Sequence, residues 1–119
     1  MTYTLSCVCA ATRIKVDSLP AWVANCNCSY CSKKGAIWGY YPPSQVRFLT
    51  DDAPGVWQPN TNEHHFCARC GTTTHAITPN WQVEGPDAEP TQVSLNMRLL
   101  DNGDLAGIPV EQIDGKAGW

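Results

Sequence analysis

Charge is scarce in this 119-residue sequence: Asp, Glu, Lys and Arg make up 16% of it, and acids outnumber bases 11 to 8. A surface that holds nucleic-acid phosphates carries a basic excess, so the formal charge of −3 argues against nucleic acid as a partner. No apolar run approaches the ~18 residues of a membrane-crossing helix, which argues against a membrane partner. Met1-Thr2-Tyr3-Thr4-Leu5-Ser6 has no basic start leading into an apolar block. No secretory signal is read there, and the expected location is cytoplasmic. Fixed-period repeats, low-complexity tails and long linkers are also missing, and the length suits one domain over residues 1–119. What the sequence has in excess is cysteine, seven in all.

All seven fall into three groups, Cys7/Cys9, Cys26/Cys28/Cys31 and Cys67/Cys70. A disulfide framework conflicts with the odd count and with the lack of an export signal. A bridge within Cys7-Val8-Cys9 or Cys26-Asn27-Cys28 would also close a strained small ring. Inert buried thiols would scatter along apolar positions rather than cluster. Metal ligation is the reading that remains.

Short stretches of strand-forming residues recur between turn signals. Ala11-Thr12-Arg13-Ile14-Lys15-Val16-Asp17 alternates polar and apolar, as a half-buried strand does. Ala36–Tyr41 stops at Pro42-Pro43, and Gln45–Thr50 runs into the turn-like Asp51-Asp52-Ala53-Pro54-Gly55. Val56–Gln58, Glu63–Phe66, Thr72–Ile77 and Gln92–Met97 are predicted as further strands. One segment, Ser29–Lys34, has helical promise, with Ser29 as its expected N-cap and Gly35 as its stop. The prediction is a mainly β domain of several sheets stapled by metal, with at most one or two short helical turns.

Cys67-Ala68-Arg69-Cys70-Gly71 has the form of a zinc knuckle. Two thiols three residues apart on a tight turn reach one ion, and Gly71 permits the positive φ that turns backbone N–H groups toward sulfur. Cys7 and Cys9 complete a tetrahedron if that segment is extended, because residues i and i+2 then face one side. Such a four-cysteine site would close 58 residues between Cys9 and Cys67 and is predicted to be structural. Cys26, Cys28 and Cys31 supply three further thiols. Three protein ligands with one open position is the pattern of catalytic zinc. The alternative is closure by His64, His65 or His75; His64 and His65, adjacent on a strand, face opposite sides, so at most one serves any given site. The open three-cysteine site is the preferred reading. With two Zn²⁺ per chain, seven thiolates at −7 and two ions at +4 take the formal charge from −3 to −6, which again disfavours nucleic acid.

These motifs, in this order, resemble the glutathione-dependent formaldehyde-activating enzyme family, which includes centromere protein V-like proteins. Cys26-Asn27-Cys28-Ser29-Tyr30-Cys31 with Lys33-Lys34-Gly35 resembles the family's C-[HN]-C-S-x-C-x-[KR]-x-G run, and Phe66–Gly71 resembles its F-C-x-x-C-G run. The match extends over roughly Thr4 to Leu100 and takes in every cysteine; Ser32 departs from it where Arg is frequent. The resemblance implies a β-tent fold with two zincs, Cys7, Cys9, Cys67 and Cys70 forming the structural site and Cys26, Cys28 and Cys31 the catalytic one. It implies carbon–sulfur lyase chemistry, joining or releasing a small aldehyde at the thiol of glutathione.

Lys33, Lys34 and Arg69 are candidates for the glutathione carboxylates, although solvated charges offsetting the thiolates are the preferred reading. Trp38, Tyr40 and Tyr41 are read as core rather than as pocket walls. Nothing singles out Glu63 or Asp52 for proton transfer. The competing functional reading is a non-catalytic zinc module that binds another protein.

Overall fold

The computed structural model describes residues 2–80 and 88–118, which include all seven cysteines and the three histidines. It is mainly β, with two sheets and two short α-helices. The smaller sheet has the order β1-β2-β5, from β1 (Tyr3–Ser6), β2 (Thr12–Val16) and β5 (Val46–Asp51), all antiparallel. In β2 the predicted alternation is realised: Thr12, Ile14 and Val16 are buried while Arg13 is exposed.

Seven strands form the larger sheet. β3 (Val23–Cys26), β4 (Trp38–Tyr41), β9 (Thr91–Asn96), β8 (Thr73–Pro79), β7 (Glu63–Cys67) and β6 (Pro54–Trp57) follow one another across it in antiparallel pairs. β10 (Val110–Ile113) adds to the other edge, parallel to β3.

The main core draws Leu5, Ile14 and Val16 from the smaller sheet against Val23, Tyr41, Val93, Leu95 and Met97. Fully burying side chains of this kind contributes ~1.5–3 kcal/mol each. Register then fixes what the opposite face of the larger sheet carries. Tyr41 pairs with Val93 on the core side, so Tyr40 and Trp38, one and three steps back along the strand, project outward. Trp38 pairs with Ala24, and Ile113 pairs with Cys26, so these share the outward face. There Ala24, Ala36 and Trp38 form a second buried cluster, flanked by Trp22, Tyr30, Cys31, Tyr40 and Ile113.

Helix α1 (Ser29–Lys34) lies over this face, and α2 (Gly115–Gly118) follows β10. The predicted stop of α1 is observed: Gly35 is left-handed at φ 67° and its N–H donates to the Cys31 carbonyl. The predicted start is corrected. The N-cap is Cys28, not Ser29, and the Cys28 sulfur accepts the Cys31 N–H. Two more expectations shift. The turn-like Asp51–Gly55 gives way to strand at Pro54, and of the expected strand Val56–Gln58 only Val56 and Trp57 are strand, as the second half of β6. β1, β3 and β10 were not among the predicted strands.

Candidate functional site

Two groups of sulfurs converge, each with its ligand atoms within 4.8 Å of one another: Cys7, Cys9, Cys67 and Cys70, and Cys26, Cys28 and Cys31. Both sets are able to hold a metal ion, and sulfur-only donor sets suit soft or borderline ions such as zinc.

The first group is built from two turns. Cys7 and Cys9 do not lie on an extended segment as expected. They sit in a turn closed by the Ala10 N–H on the Cys7 carbonyl, with Ala10 at φ 63°. A turn serves as well as a strand, because it brings Cys7 Sγ to 3.8 Å from Cys9 Sγ, and Cys9 Sγ to 3.7 Å from Cys67 Sγ. The second turn follows the knuckle prediction: the Gly71 N–H donates to the Cys67 carbonyl at 2.7 Å, with Gly71 at φ 79°.

N–H and hydroxyl donors surround these sulfurs. The Thr72 hydroxyl lies 3.1 Å from Cys70 Sγ, and with the backbone N–H groups of Thr72 and Cys9 it holds that thiol down at about 5. Burial opposes ionisation of Cys7, yet the Thr12 N–H at 3.3 Å leaves its thiol below the ordinary value. Cys9 receives the Ala11 N–H, but desolvation and the neighbouring thiols push it up to about 11. Metal-free, the group thus holds part of its negative charge before any ion arrives; ligation requires the rest of the thiols to ionise.

The second group is the end of β3 plus the first turn of α1. Cys26 Sγ accepts the Cys28 N–H at 3.5 Å, Cys28 Sγ accepts the Cys31 N–H at 3.3 Å, and Cys31 Sγ accepts the indole N–H of Trp38 at 3.3 Å. Burial works against the Cys28 thiolate but its N–H donors prevail, and its thiol is lowered. Burial dominates at Cys31, which together with Cys28 raises it to about 12 despite Trp38. Tyr40 is likewise raised to about 12 by burial and by the three nearby sulfurs, so its phenol keeps its proton at neutral pH. The loop is clamped from the C-terminal side. Asn27 donates to Asp114 Oδ1 at 2.9 Å, and its own carbonyl oxygen Oδ1 accepts the Lys116 N–H at 2.9 Å.

None of the three histidines joins either sulfur group among the described residues. His64 and His65 do face opposite ways: the His64 ring lies 3.9 Å from Tyr30, while His65 stacks on His75 at 4.3 Å. Lys33 and Lys34 are exposed at the end of α1, with Lys34 Nζ 5.7 Å from the Tyr30 ring centre. Arg69 is exposed in the turn of the four-cysteine group. Of the aromatics read as core, Tyr41 is core and donates to the Ser18 carbonyl, whereas Trp38 is buried and also bonded to a cysteine sulfur. Arg98 is a cation that sequence reasoning missed: its Nε donates to the Gly35 carbonyl at 2.6 Å and secures the last turn of α1.

No helix among the described residues is long and apolar enough to cross a membrane. A crystal structure of a Rhodobacter sphaeroides protein, solved as a structural-genomics target, is similar at a TM-score of 0.69 and 26% identity, covering 93% of this chain and 100% of that one. The model of the glutathione-dependent formaldehyde-activating enzyme family matches residues 2–110. With the match running through both sulfur groups and nearly every strand, the chain belongs to the glutathione-dependent formaldehyde-activating enzyme family.

Proposed function

We propose that the chain is a zinc-dependent carbon–sulfur lyase acting on a glutathione–aldehyde adduct of the S-hydroxymethyl thiol type, with residues 1–119 working as one cytoplasmic domain. The observation that carries this reading is the convergence of Cys26, Cys28 and Cys31 without a fourth ligand among the described residues. Two zinc ions per chain follow from the two groups. Cys7, Cys9, Cys67 and Cys70 would hold a structural ion, and Cys26, Cys28 and Cys31 a labile one. Zinc with three protein ligands supplies Lewis acidity and a position at which a substrate thiol ionises readily.

The chain's own residues do the rest. Three N–H donors, from Cys28, Cys31 and Trp38, hold the three sulfurs in one arrangement before substrate arrives. Tyr30 and Tyr40 place apolar ring surface beside them and limit water there. Lys33 and Lys34 give the exposed end of α1 a positive potential suited to the carboxylates of glutathione. In the forward direction the thiol sulfur bonds to the aldehyde carbon, the C=O π bond breaks, and the thiol proton ends on the former carbonyl oxygen. Alignment of two small reactants is the main contribution, and no protein nucleophile is required.

Glutathione titrated into zinc-loaded protein, followed by exchange NMR with formaldehyde, tests the proposal. Accelerated exchange between free aldehyde and adduct, abolished in Cys28→Ser, is the expected result. Thiol binding without acceleration would leave a ligand-binding module. No binding at millimolar glutathione would remove this substrate class and favour the protein-binding alternative.

A further inference from the structure

We infer that Trp38 is a positioning residue for the three-cysteine centre, its indole N–H fixing the Cys31 sulfur and weakening that sulfur as a donor to metal. The inference rests on the proposed metal-binding role of that centre but not on any particular substrate.

The three sulfurs differ in what holds them. Cys26 and Cys28 accept N–H groups from their own short segment, so their hydrogen bonds form whenever the turn forms. Cys31 accepts from a side chain on another element. Trp38 is 4% exposed and sits on β4, which is paired on both sides, with β3 and with β9. Its ring therefore has a fixed place relative to the sheet. Helix α1 has less to hold it: it is six residues long, buries none of them fully, and is secured at its last turn by Arg98. The bond at 3.3 Å ties the first turn of α1, at Cys31, to the sheet and so sets where the third sulfur stands relative to Cys26.

Chemistry points the same way. A phenylalanine would fill an aromatic position on this face, but only an indole reaches the sulfur with a donor. A buried N–H left without a partner costs ~1–3 kcal/mol, so this orientation is favoured only while Cys31 accepts it. A thiolate that accepts an N–H gives less electron density to a bound ion. That ion then stays more electron-poor and draws an incoming thiol more strongly.

Cadmium alone, as ¹¹³Cd, is the probe, with Trp38→Phe and a second protein carrying benzothienylalanine at position 38. The latter keeps the bicyclic shape and replaces the N–H by sulfur. Trp22→Phe, on the same face without a bond to a cysteine, is the control. In both position-38 proteins the three-cysteine resonance should move downfield while the four-cysteine resonance stays in place. Chelator competition should show the three-cysteine affinity reduced roughly 10–100-fold, because losing the fixed place of the Cys31 sulfur outweighs its gain in donor strength. An unchanged resonance and affinity in the benzothienylalanine protein would overturn the inference, since shape alone would then suffice. Failure of the parent three-cysteine group to bind cadmium would instead overturn the metal-binding reading, and the inference with it. Normal metal effects without glutathione turnover would leave the inference standing and remove the proposed reaction.

Discussion

Replacing His75 by asparagine should flatten the acid side of the protein's stability curve. His75 is 3% exposed, on β8, between the His65 ring at 4.3 Å and the Phe48 ring at 4.8 Å. Its Nδ1 lies 2.9 Å from the Thr74 hydroxyl, which is also 3.3 Å from the His65 carbonyl. Burial, with His65 alongside, lowers the folded value to about 3. An unfolded histidine titrates near ~6.5.

Below that value the unfolded chain binds a proton that the folded one refuses, so stability is complete above ~6.5 and is lost as pH falls toward 3. At about pH 5.5 the loss is RT ln 11, about 1.4 kcal/mol, and it is the same for any folded value well below 5.5. Urea unfolding of zinc-loaded parent and His75→Asn at about pH 7.5 and about pH 5.5, at matched free zinc, reads the difference, because metal linkage then acts on both proteins alike. The parent should lose about 1.4 kcal/mol more than the variant over this interval. Parallel losses would refute the reasoning and mean that His75 carries its proton inside the fold.

Elemental analysis of reconstituted protein should give two zincs per chain, with the chelator-labile one returning the thiols of Cys26, Cys28 and Cys31; one zinc at saturation would undo the division into two centres. Cys67→Ser should unfold or aggregate, because a closed metal site contributes its binding energy to folding. Cys28→Ser should keep its far-ultraviolet circular dichroism and lose the labile zinc; the opposite pattern would show the two centres reversed. Gly39→Ala places a Cβ 2.9 Å from Met97 Cγ and 3.0 Å from Pro20 Cγ, with Met97 fully buried. It should cost ~1–3 kcal/mol in urea unfolding, and a neutral result would mean that the Met97 side chain repacks freely.

The parts of the fold that were readable in sequence are those whose signal is local. β2 announces itself by alternation, the β4 boundary by Pro42-Pro43, and the Cys67–Gly71 turn by spacing and glycine. β3 and β10 carry no such pattern. Each has four residues, and β10, an exposed edge strand of Val110-Glu111-Gln112-Ile113, gains its place from the parallel partner rather than from its own composition. The cap of α1 was misassigned because thiols are not usual N-caps; here the sulfur must turn inward toward its cluster, and the Cys31 N–H follows it. The sulfur groups themselves were legible, since their cysteines come in local runs spaced two or three residues apart, and the joining of Cys7/Cys9 to Cys67/Cys70 followed from the four ligands that a closed site needs. The donor role of Trp38 was not: it depends on how a helix lies over a sheet, and a tryptophan on a strand reads equally well as packing.

The two sulfur groups differ in what their loss would release. The four-cysteine group ties the turn between β1 and β2, in the smaller sheet, to the turn between β7 and β8, in the larger one. Cys9 and Cys67 stand 58 residues apart, and the buried Cys7, Ala11 and Cys67 form a small cluster of their own at the junction. The three-cysteine group spans only Cys26 to Cys31, within one strand end and one helical turn. Loop closure scales as (3/2)RT ln n, so a metal cross-link over the long loop would remove about 2 kcal/mol more chain entropy than one over the short loop. The local group is also held metal-free, by the Asn27 clamp to Asp114 and by the caps at both ends of α1. An ion held there would therefore be free to exchange ligands or leave without parting the sheets. A centre that must admit a substrate thiol belongs where the fold does not depend on it, which supports placing the chemistry at Cys26, Cys28 and Cys31.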